Sequence, residues 1–165
     1  MPDEHIRHKP PSMLSQPREL VLVCPTFRSS VNLSRIVRLA SCVAAQKLIA
    51  SGNTRIDPKI ARDGATEIEI QRCRALEPVL KKLRAQDYQI IGLEQTRDSA
   101  SLFDFQFPRK TVLLIGHERQ GIPDSQLGLV NQCVEIPVWG LPHSYNVVTA
   151  TTMAVYEYCK QFPEG

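Results

Sequence analysis

Apolar positions along the chain alternate between two patterns. Short unbroken apolar runs closed by Pro or Gly mark strands covered on both faces. Between them lie stretches whose apolar residues return every three or four positions, as on an amphipathic helix. The first run is LVLVCP, Leu20 to Pro25. NLSRIVRLASCVAAQKLI follows, with Leu33, Ile36, Val37, Ala40, Val43 and Ala44 at helical spacing, and predicts one helix ending near Gly52. IEIQRC predicts a strand, PVLKKLRAQ a helix and YQIIGLEQ a further strand, while TVLLIG and CVEIP are the last two strands. A long helix closes the chain after VEIPVWGLPHSYN. Strands separated by helices predict an α/β fold with a mainly parallel sheet and helices on both faces. Such sheets bind ligands at the carboxyl ends of their strands. The loops after Pro25, Ile115 and Ile136 all fall at that end.

Residues 1–18 carry several prolines and little periodicity, which predicts a flexible arm ahead of a single domain over 19–165. In the arm, Arg7, His8, Lys9 and Arg18 are candidate phosphate contacts, the alternative being a solvated tail. At 165 residues, with 42% hydrophobic and 22% charged positions, the chain can bury a core without staples. A net charge of +3 is mild, so a nucleic-acid partner has to be met by a local basic patch. Cys24, Cys42, Cys73, Cys133 and Cys159 are odd in number and contain no CxxC pair, which argues against a disulfide framework or a zinc site. With no apolar run long enough to span a bilayer and no leader-like segment, a cytoplasmic protein without a metal is expected.

The most unusual stretch is the loop before the last helix. Pro137, Gly140 and Pro142 fix its backbone path, and Ser144 and Asn146 suit a helix N-cap. A preorganised loop of this kind suggests a ligand. A nucleotide fold is argued against by the lack of GxGxxG after the first strand and of GxxxxGK[ST] anywhere. Instead, NLSRIVR, LLIGHERQG and VEIPVWGLPHSYN, in that order, resemble the three signature motifs of the SpoU (TrmH-like) branch of the SPOUT RNA methyltransferases. The resemblance runs from Leu20 to about Lys160. It implies a C-terminal deep trefoil knot in the sheet, an S-adenosylmethionine pocket built by that knot, and a homodimer. The implied reaction is methylation of a ribose 2'-hydroxyl in RNA. A compact chain without a separate RNA-binding domain favours tRNA over rRNA by analogy. A base-directed RNA methyltransferase and a non-catalytic knotted module for RNA binding or dimerisation stand as alternatives.

Methyl transfer from a sulfonium is an in-line displacement, so the protein mainly positions the hydroxyl and stabilises its developing oxyanion. By the resemblance, Asn32 and Arg38 are the motif-one pair, with Arg38 beside the target hydroxyl. A guanidinium hardly ever loses its proton, so Arg38 fits a donor that holds phosphate or alkoxide better than a general base. A residue on the polar face of an amphipathic helix is the plainer reading. Glu118 matches the motif-two acid, and Gly116 and Gly121 would let backbone approach the cofactor, if they are more than turn formers. Ser144 and Asn146 match the motif-three pair. Cofactor contacts fall by motif alignment on Gly116, Ile136, Ser144 and Tyr145, with Glu94 or Leu93 from the strand end before Thr96.

The chain departs from the family pattern at four positions. His117 stands where Asn is usual and adds a titratable group. Tyr145 replaces Leu, either stacking along adenine or packing in the core. Ala44 stands where Gly often ends the first helix, and Ser34 where Gly or Ala is frequent. Trp139 either stacks on a base or packs across a dimer interface. Arg55, Lys59 and Arg62, or Lys81, Lys82 and Arg84, either line an RNA path or solvate exposed faces.

Overall fold

The computed structural model describes residues 3–165. Strand β1 (Leu20–Cys24) is buried at every position. Leu20, Leu22 and Cys24 enter one apolar core while Val21 and Val23 enter the other, as the two-residue period of a strand dictates. Helix α1 (Ser30–Cys42) starts at Ser29, whose hydroxyl accepts the Asn32 N–H at 3.2 Å, and buries Leu33, Ile36, Val37 and Ala40. Strand β2 (Lys47–Ser51), the short helices α2 (Pro58–Ala61) and α3 (Gly64–Glu67), and strand β3 (Ile70–Cys73) follow. Helix α4 (Leu76–Arg84) buries Leu76, Leu80 and Leu83. Then come β4 (Gln89–Leu93), β5 (Ala100–Ser101), β6 (Thr111–Ile115), the short α5 (Asp124–Leu127), β7 (Gln132–Glu135) and α6 (Val147–Gln161).

The seven strands form one sheet in the order β3-β2-β1-β6-β4-β7-β5, and every pairing is parallel. The expected α/β sheet with helices on both faces is therefore present, with α1 and α6 packed together on one face and α4 on the other. Two reversals of strand order matter for function. β6 inserts between β1 and β4, and β7 between β4 and β5. The loops leaving β4, β6 and β7 consequently emerge side by side at the carboxyl edge.

One expected element is corrected. The helix predicted through Ile49 stops at Cys42, and Lys47–Ser51 is strand β2. Ala44 N–H donates to Ser41 O and Ala45 N–H to Ala40 O, and Ala44 itself has φ +50°. This is the left-handed helix stop in which glycine is favoured, so the family's usual Gly there has a conformational reason. Leu48, Ile49 and Ala50 are buried in the sheet, and an apolar run of this length fits either period until the sheet claims it. Ser34, buried, donates to Ser30 O at 2.6 Å and accepts the Asp57 N–H at 2.7 Å, tying α1 to the start of α2. Gly or Ala could not make that tie.

The expected arm also ends earlier than its composition suggests. Met1 and Pro2 lie outside the described residues, and residues 3–13 are exposed. The N–H groups of Ser15 and Gln16, however, both donate to Glu164 O. Arg18 is 7% exposed and donates to Val43 O and Phe162 O. Arg18 is thus removed from the candidate phosphate contacts: its donors satisfy carbonyls at two helix ends, which burial makes obligatory. No helix among the described residues is long and apolar enough to cross a membrane.

Candidate active site

The loop after β6 is the most tightly constrained part of the carboxyl edge. His117 N–H donates to Gly121 O and Gly121 N–H to His117 O, each at 3.0 Å, closing the segment into a small ring. Gly121 has φ +66°, and a Cβ there would fall on the Glu94 carboxylate. A Cβ on Gly116 would stand 3.1 Å from the Gly121 backbone. Glu94, at the end of β4, closes the arrangement from below, accepting the Ile122 N–H at 2.9 Å and the Gln95 N–H at 3.1 Å. Gly121 is required by its left-handed backbone and close approach, and Gly116 is favoured by tight packing against it.

Glu118 projects from this ring onto the start of α1. One carboxylate oxygen accepts from the Ser29 N–H and the Asn32 side-chain amide, each at 3.2 Å, and the other from the Arg28 N–H at 3.3 Å. His117 Nε2 lies 3.5 Å from the second oxygen, and its Nδ1 accepts the Arg119 N–H at 3.2 Å. Burial works to raise the carboxyl pKa. The donors from Ser29, Asn32, Glu118's own backbone and Arg28 outweigh it, and the group is held below its ordinary value. Glu118 is an ionised clamp between two of the three motif segments. The backbone donors Arg28 and Ser29 were not singled out in the sequence. Their part follows from where α1 begins, and the only sequence trace is the capping Ser29 three residues before Asn32.

Beside the clamp lies a cavity of about 510 Å³, within the range of small-molecule sites. It is walled by Glu94 and Thr96 after β4, Gly116 to Gly121 after β6, and Ile136, Ser144 and Tyr145 after β7. All the residues expected to contact a cofactor, Glu94, Gly116, Gly121, Ile136, Ser144 and Tyr145, thus share one wall system, with Glu118 among them. Tyr145 is 38% exposed and stands at this cavity, so core packing is not its role. Asn32 reaches the site through Glu118. Asn146 is exposed and caps α6, its side-chain oxygen accepting the Val148 N–H at 2.9 Å. Arg38 is exposed on α1, six residues and so roughly 9 Å along the axis from Asn32. Its side chain makes no hydrogen bond or ion pair among the described residues. No group of three or more His, Cys, Asp or Glu among the described residues is placed to hold a metal ion.

The fold and the sequence have known counterparts. The chain belongs to the SpoU rRNA Methylase family, whose model matches residues 19–156. It is 41% identical over 150 residues to the tRNA (guanosine(18)-2'-O)-methyltransferase of Saccharomyces cerevisiae, a match covering 87% of this chain and 10% of that protein. The chain therefore spans only about a tenth of the yeast relative's length. Among solved structures, the SpoU methyltransferase AviRb from Streptomyces viridochromogenes in complex with the cofactor AdoMet superposes with a TM-score of 0.77 at 26% identity, over 92% of this chain and 64% of that one. The A. aeolicus TrmH/SpoU tRNA modifying enzyme shares the fold with a TM-score of 0.83 at 22% identity, over 89% of this chain and 77% of that one.

Proposed function

We propose that the chain is an S-adenosylmethionine-dependent methyltransferase that acts on a ribose 2'-hydroxyl of tRNA and works as a homodimer. The observation that carries this reading is the ionised Glu118 clamp on the wall of a glycine-lined cavity of about 510 Å³. The yeast relative's name supports the substrate and the AdoMet complex of AviRb supports the cofactor. The residues present fit such a cofactor: Gly116 and Gly121 leave backbone bare where a side chain would clash, and Ile136, Ser144 and Tyr145 face them. When bound, the cofactor supplies an electrophilic methyl group on a cationic sulfur.

The chain's own residues then divide the work. Gly116, Ile136 and Tyr145 would hold the cofactor, with Glu94 bracing the ring through the Ile122 and Gln95 N–H groups. Glu118 and Asn32 fix the start of α1, and α1 carries Arg38 into solvent with its donors uncommitted, free to grip a phosphate or the developing oxyanion. The guanidinium keeps its own proton, so the hydroxyl proton leaves to another acceptor, for which a nearby phosphate is one candidate. Asn146 caps α6 and so sets the last loop, whose Ser144 stands in the cavity wall, against this site. Val31 on α1 and Met153 and Tyr156 on α6 are exposed apolar residues on two helices packed together, which supports a dimer face there. The β7 insertion, with α6 returned onto α1, supports the trefoil knot. The thiols Cys24, Cys42, Cys73, Cys133 and Cys159 are all free, in keeping with a cytoplasmic setting.

Calorimetry with S-adenosylmethionine and tritium transfer into unmodified tRNA, followed by nuclease mapping of ribose against base products, test this reading. Arg38→Ala should lower transfer by about 10²–10³-fold, the cost of losing one oxyanion donor, with cofactor affinity and melting temperature unchanged. Full activity in that variant removes Arg38 from the mechanism, and label in a base overturns the ribose assignment.

A further inference from the structure

The most exposed aromatic surface of the molecule stands next to this site and is not used by it. Trp139, the only tryptophan, is 75% exposed and Phe103 is 69% exposed. Their ring centroids are 5.6 Å apart and the planes are tilted by 52°. Trp139 belongs to the loop after β7, one residue beyond Val138 in the cavity wall, and Phe103 follows the edge strand β5. Leu141, 73% exposed, extends the same loop. An exposed apolar group of this size on a loop stiffened by Pro137 and Pro142 is presented at small entropic cost to whatever binds it.

We infer that the Trp139–Phe103 pair is a stacking platform for an unpaired nucleobase of the RNA substrate, beside the nucleotide that enters the cavity. This rests on the methyltransferase reading and adds to it the element that holds RNA. Single-stranded RNA is held by aromatic faces combined with cationic contacts to its backbone. Both components are present on the rim. Both rings are mostly exposed, which leaves π surface free for a base. Arg119, in the cavity wall, and Arg97, beside the wall residue Thr96, are exposed and make no ion pair among the described residues. Phe103 follows the edge strand β5, whereas the residues that support dimerisation are on α1 and α6.

The single tryptophan makes the test direct. Trp139 emission in the free protein should be that of a solvent-exposed indole. It should be quenched by titration with unmodified tRNA transcript or a single-stranded RNA homopolymer, and not by inorganic phosphate. Trp139→Ala and Phe103→Ala should each raise the KM for tRNA by about 10-fold, the stacking of one base, while cofactor affinity stays as in the parent. Trp139→Phe should restore most of the loss. Blue-shifted, unquenchable emission that reddens on dilution would place Trp139 in the dimer interface and overturn the inference, as would an unchanged KM in Trp139→Ala. A parent protein that binds no S-adenosylmethionine and transfers no methyl defeats the methyltransferase reading instead, and the RNA quench then decides the platform alone.

Discussion

The loop after β6 and the loop after β7 face each other across one cavity but are made rigid in different ways. The first is tied internally by the His117–Gly121 pair, from below by Glu94 and sideways through Glu118 to α1. The second holds its path with Pro137 and Pro142, a single turn from His143 N–H to Leu141 O, and the Asn146 cap. Its residues Val138 to Asn146 are exposed. One wall is therefore set by several polar contacts that converge on it. The other is set by covalent restriction and leaves its side chains to solvent. The proposed methyl transfer would use both: a fixed surface to orient the donor, and an open one that a large substrate can reach.

The sharpest way to break this contrast is Gly121→Ala. The left-handed backbone costs a non-glycine residue about 1–2 kcal/mol, and the new Cβ falls on the Glu94 carboxylate, which must then release the Ile122 N–H. Loss of about 2–4 kcal/mol of stability is expected in denaturant unfolding, together with loss of cofactor binding by calorimetry. Glu118→Gln comes next. One of the two oxygens that accept from Ser29 and Asn32 or from Arg28 becomes an NH₂ facing a donor, and a drop of about 1–3 kcal/mol is expected. The effect should depend on pH. Because the carboxyl is held below its ordinary value, its contribution is present above the unfolded value and disappears as pH falls through the folded one. Thermal melts of the two proteins should therefore converge in acid. The smallest effect is expected on the opposite wall: a Cβ on Gly140 meets nothing within 4 Å, and Gly140→Ala should stay within about 0.5 kcal/mol of the parent. A large loss there would mean that the second loop is as tightly tied as the first.

Much of the site was readable because motif residues carry their own chemistry. Gly116 and Gly121 are needed where backbone is crowded, Asn146 where a helix needs a cap, and Glu118 where donors converge. The errors share one cause. Leu48 and Ile49 satisfy a helical period as well as a strand, and only the vacancy beside β1 makes them β2. Arg18 looks like a tail cation until helix ends are folded over it. Strand β5 is two residues long and has no pattern to read.

The sequence by itself determined most of the alternation of strands and helices, the capping residues and the set of groups available for chemistry, because these depend on residues a few positions apart; it did not determine where α1 stops, since Leu48 and Ile49 fit either period. The order of strands was decided only by the tertiary structure. Placing β6 between β1 and β4, and β7 beside β4, brings Glu94, Glu118 and Tyr145 to one cavity from positions far apart in the chain. That choice depends on which apolar faces can be buried against one another, a property of the whole sheet that no local stretch of residues contains.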